Sequence, residues 1–214
     1  MIAVGIWIVP ARAGETGKAA VVPTISPPNS VTHGKTLTEW LDIYWHWFLS
    51  EEYPKQGKVG SVQLLPFPDE VLVEGSDPPL YRGNLEMTLA PGTAIVIAAF
   101  GSLGETYNNG TPDDPPFSEA DLLASVSLTV TIDGQSVLSD ENKSVFYVPA
   151  TTFSPAIPYA TPTDHGSVGA IFFQGMGFVS APLTPGVHVI HVYEPDFFVG
   201  LINDNTWIIT VAPR

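Results

Sequence analysis

A single segment, Gly34–Ser50 (GKTLTEWLDIYWHWFLS), carries the pattern of a helix in a chain otherwise broken by 21 prolines and 19 glycines. So many chain reversals suit an all-β fold of short strands. On a helical wheel, Leu37, Trp40, Leu41, Ile43, Tyr44, Trp45, Trp47, Phe48 and Leu49 cover an apolar arc of roughly 240°. The remaining stripe holds Glu39, Asp42, His46 and Ser50. Thr36 followed by Glu39 fits a capping box, and Pro54 disfavours helical geometry at the residue before it, so a helix is expected over 37–50. An arc this wide belongs to a helix enclosed by other elements. Its polar stripe is acidic, unlike the Lys- and Arg-rich face of a membrane-surface helix.

At 214 residues the chain is the size of one domain with a substantial core, and 44% hydrophobic content excludes wholesale disorder. A formal net charge of −14 opposes binding to nucleic acid, whose phosphates it would repel. The lack of cysteine excludes disulfides, thiolate metal sites and a cysteine nucleophile. Met1–Gly14 (MIAVGIWIVPARAG) has a short apolar run followed by Ala11-Arg12-Ala13, the small-x-small pattern of a secretory cleavage site, and export with cleavage after Ala13 is expected. Alternatively Ile2–Val9 is a β-strand that pairs with a neighbour's sheet edge and builds a homo-oligomer. No run approaches the ~20 apolar residues of a membrane span, so no integral membrane association is expected.

Residues 14–33 read as an extended, Pro-rich lead-in and 34–214 as one domain. Strands are expected at Gly60–Leu65, Tyr81–Leu89 and Thr93–Phe100, the last (TAIVIAAF) apolar enough to be buried on both faces. Pro66–Pro79 and Gly101–Pro116 read as loops, and Ser118 as the cap of a short helical turn. Val126, Leu128, Val130 and Ile132 alternate with polar residues, and Asp133-Gly134 supplies a hairpin turn. Ser144–Tyr147, Ile171–Phe173, Gly177–Ala181, Val187–Tyr193 and Thr206–Val211 continue the strand series. The expected fold is mainly all-β, a β-sandwich of jelly-roll type with one aromatic-rich helix packed on its sheets.

Several of these pieces together resemble a family of exported, largely uncharacterised bacterial proteins with a GKxYGEW…WWQW-type helix ahead of a β-sandwich. The matching residues of the helix are Gly34, Lys35, Glu39, Trp40, Trp45 and Trp47. PGTAIVIAAF, SLTVTIDGQSV, SVFYVPATTFSPAIP, APLTPGVHVIHVY and NTWIITVAP are similar to the family's later strands, in order. His46 stands where the family has Gln, and Leu37-Thr38 replaces its small-residue turn. The resemblance implies the sandwich fold and export, and it brings no catalytic residues with it.

Chemistry has to be sought in the residues themselves. Glu39, Asp42 and His46 share one helical face, where a carboxylate beside a histidine can act as acid and base or share a metal; the alternative is a solvated stripe with Glu39 capping the helix. His188 and His191 lie three apart on a strand and so point to opposite faces, which suits a hydrogen-bonded core histidine better than a metal site. Asp164-His165-Gly166-Ser167 places acid, base and hydroxyl together, without the G-x-S-x-G elbow of a serine hydrolase. Two acidic segments offer oxygen ligands for Ca²⁺: Glu105–Asp114, through Glu105, Asn108, Asn109, Asp113 and Asp114, and Glu194–Asn205. Tyr107, Phe117, Tyr159, Phe197 and Phe198 are candidates to stack on sugar rings, or to pack at the edge of the sandwich.

The expectation is an exported binding or surface-structural module without catalysis, acting on carbohydrate or on copies of itself. The alternatives are an extracellular carbohydrate-active hydrolase or lyase using the helix carboxylates and His46, and a calcium-stabilised surface module.

Overall fold

The computed structural model describes residues 25–50, 52–55 and 57–213. The expected signal segment, the alternative strand Ile2–Val9 and most of the lead-in lie outside them. The aromatic segment forms α1 (Leu37–Phe48), with the capping box in place. Glu39 N donates to Thr36 Oγ1 at 3.3 Å, and Thr36 N donates to Glu39 Oε2 at 2.7 Å. The helix stops two residues short of the expected boundary. There the Ser50 hydroxyl donates to the Trp47 carbonyl, and the Trp47 indole N–H reaches forward to the Lys55 carbonyl, which turns the chain.

Eleven strands and a second short helix follow: β1 (Lys58–Val59), β2 (Val62–Leu64), β3 (Glu70–Leu72), β4 (Leu80–Leu89), β5 (Ala94–Tyr107), α2 (Glu119–Ser125), β6 (Thr129–Ile132), β7 (Gln135–Leu138), β8 (Tyr147–Pro158), β9 (Ser167–Val179), β10 (Gly186–Asp196) and β11 (Leu201–Val211). They form a five-stranded sheet in the order β1-β2-β5-β9-β8 and a six-stranded sheet in the order β3-β4-β11-β10-β6-β7. The fold is mainly β and sandwich-like, and the pairing is mixed, since β2–β5 and β4–β11 run parallel. Among the described residues, no helix is long and apolar enough to cross a membrane.

The apolar run before Phe100 behaves as its composition demands. Ala94–Ala99 of β5 are all buried, because α1 covers one face of the five-stranded sheet and the core between the sheets covers the other. On the six-stranded sheet burial alternates instead: His188, Ile190, Val192 and Glu194 of β10 point inward, as do Asn205, Trp207, Ile209 and Val211 of β11. Aromatic polar tips pin the connections. The Tyr44 hydroxyl donates to the Leu65 carbonyl, Trp40 Nε1 to Thr32 O and Trp207 Nε1 to Pro66 O, all at 2.7–2.8 Å.

Four expected loops and strands turn out differently. β5 continues through Gly101–Tyr107, read as loop, because Gly101 and Gly104 leave room for the rings of Trp45 and Phe172 directly on the backbone. Ser144–Tyr147, read as a strand, is instead a 3-10 turn over Lys143–Phe146 that leads into β8. The acidic segment Glu194–Asn205, read as a loop, is the end of β10, a four-residue turn and the start of β11. Pro66–Pro79 contains the edge strand β3.

The seat of Trp45 is the tightest junction between helix and sheet. A Cβ at position 101 would stand 2.0 Å from Trp45 Cζ2, and that indole is only 4% exposed. Gly101→Ala is therefore expected to destabilise the fold by about 1–3 kcal/mol, read as a lower urea midpoint at unchanged m-value. An unchanged midpoint would mean that the helix is free to shift on its sheet.

Candidate functional site

The helix stripe is a surface feature. The carboxylate of Glu39 is occupied by the capping box, whose hydrogen bonds, first from the Thr36 amide and then from its hydroxyl, hold it below the usual carboxylate range. Asp42 and His46 form an exposed pair, with Nδ1 of His46 3.4 Å from Asp42 Oδ1 and 2.9 Å from the Asp42 carbonyl. The His46 ring meets Phe153 edge-on at 5.0 Å. The structure thus keeps Asp42 and His46 together, turns Glu39 to the cap, and places none of the three on the cavities described below.

The two β10 histidines do lie on opposite faces. His188 is buried, with Nδ1 2.7 Å from Asp133 Oδ2 and Nε2 2.7 Å from the Thr184 carbonyl. Asp133, at φ 52° in the β6–β7 turn, also accepts from the Val189 amide, so this pair ties the hairpin to β10. His191 is on the outer face, 2.7 Å from Asp204 Oδ1, while Arg82 holds Asp204 Oδ2. Burial would raise the Asp204 carboxyl, but the hydrogen bonds from His191 and Arg82 outweigh it and hold it below its ordinary value.

Asp164 and His165 are exposed on a turn, whereas Ser167 is fully buried at the start of β9, so these three do not converge. The Glu105–Asp114 segment is internally bonded. Asp114 accepts from the Glu105 amide and the Tyr107 hydroxyl, and Glu105 accepts from the Tyr159 hydroxyl. Asn109 donates to the His165 carbonyl and accepts from the Thr111 amide; Asn108 donates its backbone N–H to Gly166 O; Asp113 is exposed. Among the described residues, no three His, Cys, Asp or Glu side chains gather as metal ligands. Removal of divalent cations with EDTA is accordingly expected to leave the melting temperature unchanged.

Two of the surface aromatics do come together. Phe117, just ahead of the Ser118 cap of α2, and Phe198, in the turn between β10 and β11, stack with centroids 4.8 Å apart and planes tilted by 34°. Both remain open to solvent, 44% and 52% exposed, with Phe197 and Val199 beside them. Backbone bonds fix this arrangement: Phe197 N donates to Ser125 O, and Asp196 Oδ1 accepts from the Phe198 and Val199 amides. Behind the ring pair a cavity of about 260 Å³ opens at the end of the sandwich, reaching Phe100, Ser102, Leu122 and Asp196. Depressions of about 490 Å³ and 340 Å³ flank Phe117, bringing in Asp121 and Ser125 on one side and Asp114 and Phe172 on the other. Gln174, fully buried, pairs across the sheet with Ser102, and neither of its amide atoms has a hydrogen-bond partner. The hydroxyls of Tyr107 and Tyr159 donate to the carboxylates of Asp114 and Glu105.

A second polar cluster falls at the two ends of Glu194–Asn205, the segment expected to offer oxygen ligands for Ca²⁺ from a loop, and these ends are paired strands. Glu194 and Asn205 are 5% and 3% exposed on the inner face of the six-stranded sheet, and Glu194 Oε1 and Asn205 Oδ1 are without partners. Burial pushes the Glu194 carboxyl up to about 7, against the Asn203 hydrogen bond and with added repulsion from Asp196 and Glu70. Continuing the two-residue alternation of VHVIHVYEPD past Val192 would have marked Glu194 as inward-facing.

The chain matches no known family model and no curated protein.

A carboxyl raised on folding makes the native state the better proton binder between its unfolded and folded pKa values, so stability falls as pH rises through that window. For Glu194 the window runs from about pH 4.5 to about 7. Wild-type protein is expected to lose a few kcal/mol of unfolding free energy between pH 4.5 and 7.5 from this group, and Glu194→Gln to lose much less. Urea titrations at the two pH values check it; parallel pH profiles would show that Glu194 ionises freely.

Proposed function

We propose that the chain is an exported binding module that takes a carbohydrate at the Phe117–Phe198 end of the sandwich. The observation that carries this reading is the exposed, backbone-braced aromatic pair walling a cavity with polar groups at its rim. A sugar ring offers an apolar C–H face to aromatic rings, while its hydroxyls need hydrogen-bond partners. Ser102, Asp121, Ser125 and Asp196 supply those partners within the same depressions. The wall is fixed before any ligand arrives, which reduces the ordering cost of binding. Export rests on the pattern of Met1–Gly14, and an extracellular or periplasmic setting is where such ligands occur.

A binding role suits the carboxylates and histidines better than a catalytic one. Of those named from the sequence, Glu39 is engaged in a helix cap, His188 in a strand tie and Asp114 in an internal loop network, while Asp42 and His46 pair on the surface away from the cavities. Phe117→Ala and Phe198→Ala are each expected to weaken binding about tenfold, the equivalent of about 1.4 kcal/mol, on a neutral glycan array followed by calorimetry. Both rings are exposed, so circular dichroism should remain that of the wild type. No retention of any glycan by the wild-type protein, or full retention by both variants, overturns the proposal.

A further inference from the structure

A second cavity, of about 430 Å³, lies where the end of α1 meets the β3 edge of the six-stranded sheet. Its walls are Phe48, Tyr53 and Phe67, and its polar lining is Asp69, Glu70 and Asn203. The rings brace one another, with Phe48 4.7 Å from Tyr53 and 5.5 Å from Phe67, both edge-on. The Phe67 amide donates to the Tyr53 hydroxyl at 2.9 Å, which fixes the wall.

Each of two lining polar groups is bonded to a buried one. Asn203 Nδ2 donates to Glu194 Oε2 at 2.6 Å, and Asn205 Nδ2 donates to Glu70 Oε1 at 2.5 Å. The oxygens left over, Glu194 Oε1 and Asn205 Oδ1, are both acceptors. Asn205 Oδ1 sits over Gly83 together with two residues of the lining. A Cβ built on Gly83 would lie 2.6 Å from that oxygen, 2.6 Å from Pro68 Cβ and 3.2 Å from Glu70 Cγ. Only glycine leaves room for this cradle.

The cavity therefore combines aromatic walls with the carboxylates of Asp69 and Glu70, and none of its lining residues is basic. An anion would be repelled by Asp69 and Glu70, and a group without N–H donors would forgo charge-assisted hydrogen bonds to those carboxylates. A cation over aromatic faces is attracted by the ring quadrupoles. We propose that this cavity is a site for a primary alkylammonium group, whether of a free amine or of a lysine side chain. It is separate from the Phe117–Phe198 wall.

Titration of the ¹⁵N-labelled protein with n-butylammonium tests the proposal, with 1-butanol as the neutral isostere and tetramethylammonium as the cation without donors. Saturable shifts of the Asn203 and Asn205 side-chain amides are expected with butylammonium. The alcohol should leave them unmoved, and tetramethylammonium should bind at least fivefold more weakly. Glu70→Gln, a change at an exposed position, should weaken the amine tenfold or more, and Phe117→Ala should leave it unaltered. A lysine-containing peptide and its acetylated form separate the two sources: a stronger response to the free peptide than to butylammonium assigns a protein partner, and a weaker one assigns a small amine. Equal shifts with the alcohol, no saturable shift with any amine, or unaltered binding by Glu70→Gln overturns the proposal.

Discussion

The seating of α1 on the five-stranded sheet is the contact on which the rest of this molecule depends. Trp45 lies against the bare backbone of Gly101, and Leu41 approaches Gly177 across the paired strand β9. With Ala94–Ala99 buried on both faces, the first half of β5 has no side exposed to water and has to be covered by the helix. Water-to-core transfer of these tryptophans and of Tyr44 is a large apolar contribution, and close packing makes it sensitive to single atoms. The same rings carry polar tips that fix the incoming and outgoing chain at Thr32, Lys55 and Leu65. Helix, connections and sheet are thus secured by one set of side chains.

That arrangement bears on where ligands can be received. Open volume is found beside turns that bring aromatic rings together. At one place the β10–β11 turn and α2 bring Phe117 and Phe198 together. At another, the end of α1 and the β3 edge enclose Phe48, Tyr53 and Phe67. Lining residues of both are joined to buried polar side chains with unpaired atoms: Ser102 pairs across the sheet with Gln174, and Asn203 and Glu70 are bonded to Glu194 and Asn205. Leaving such groups unsatisfied costs stability, and a core built for stability alone would replace them with apolar residues.

Much of the fold was legible because local patterns and tertiary demands agree here. The Thr36–Glu39 box, the wide apolar arc, the Ser118 cap and the Asp133-Gly134 turn are local signals, and each is found in place. The misread segments are those where a distant ring overrides local composition. Gly101–Tyr107 looks like a loop because its small and polar residues suit turns, yet it is a strand because Trp45 and Phe172 need flat backbone to rest on. The site was less legible still. Phe117 and Phe198 were each recognisable as surface aromatics, but 81 positions separate them, and nothing in either local sequence says they stack.

By itself, the sequence determined the class of fold, the one long helix and its buried face, and, through its lack of cysteine, the exclusion of thiol chemistry. These follow from periodicity and composition, which act over a turn or a strand. Only the tertiary structure decided that Glu39 serves a cap, that His188 and His191 answer to different carboxylates, and that Glu194 is an interior acid beside Asn203. The physical reason is that hydrogen bonding and desolvation depend on which strands lie side by side. That ordering, with β4 parallel to β11 and β10 between β11 and β6, is a property of the whole sheet and of no single segment.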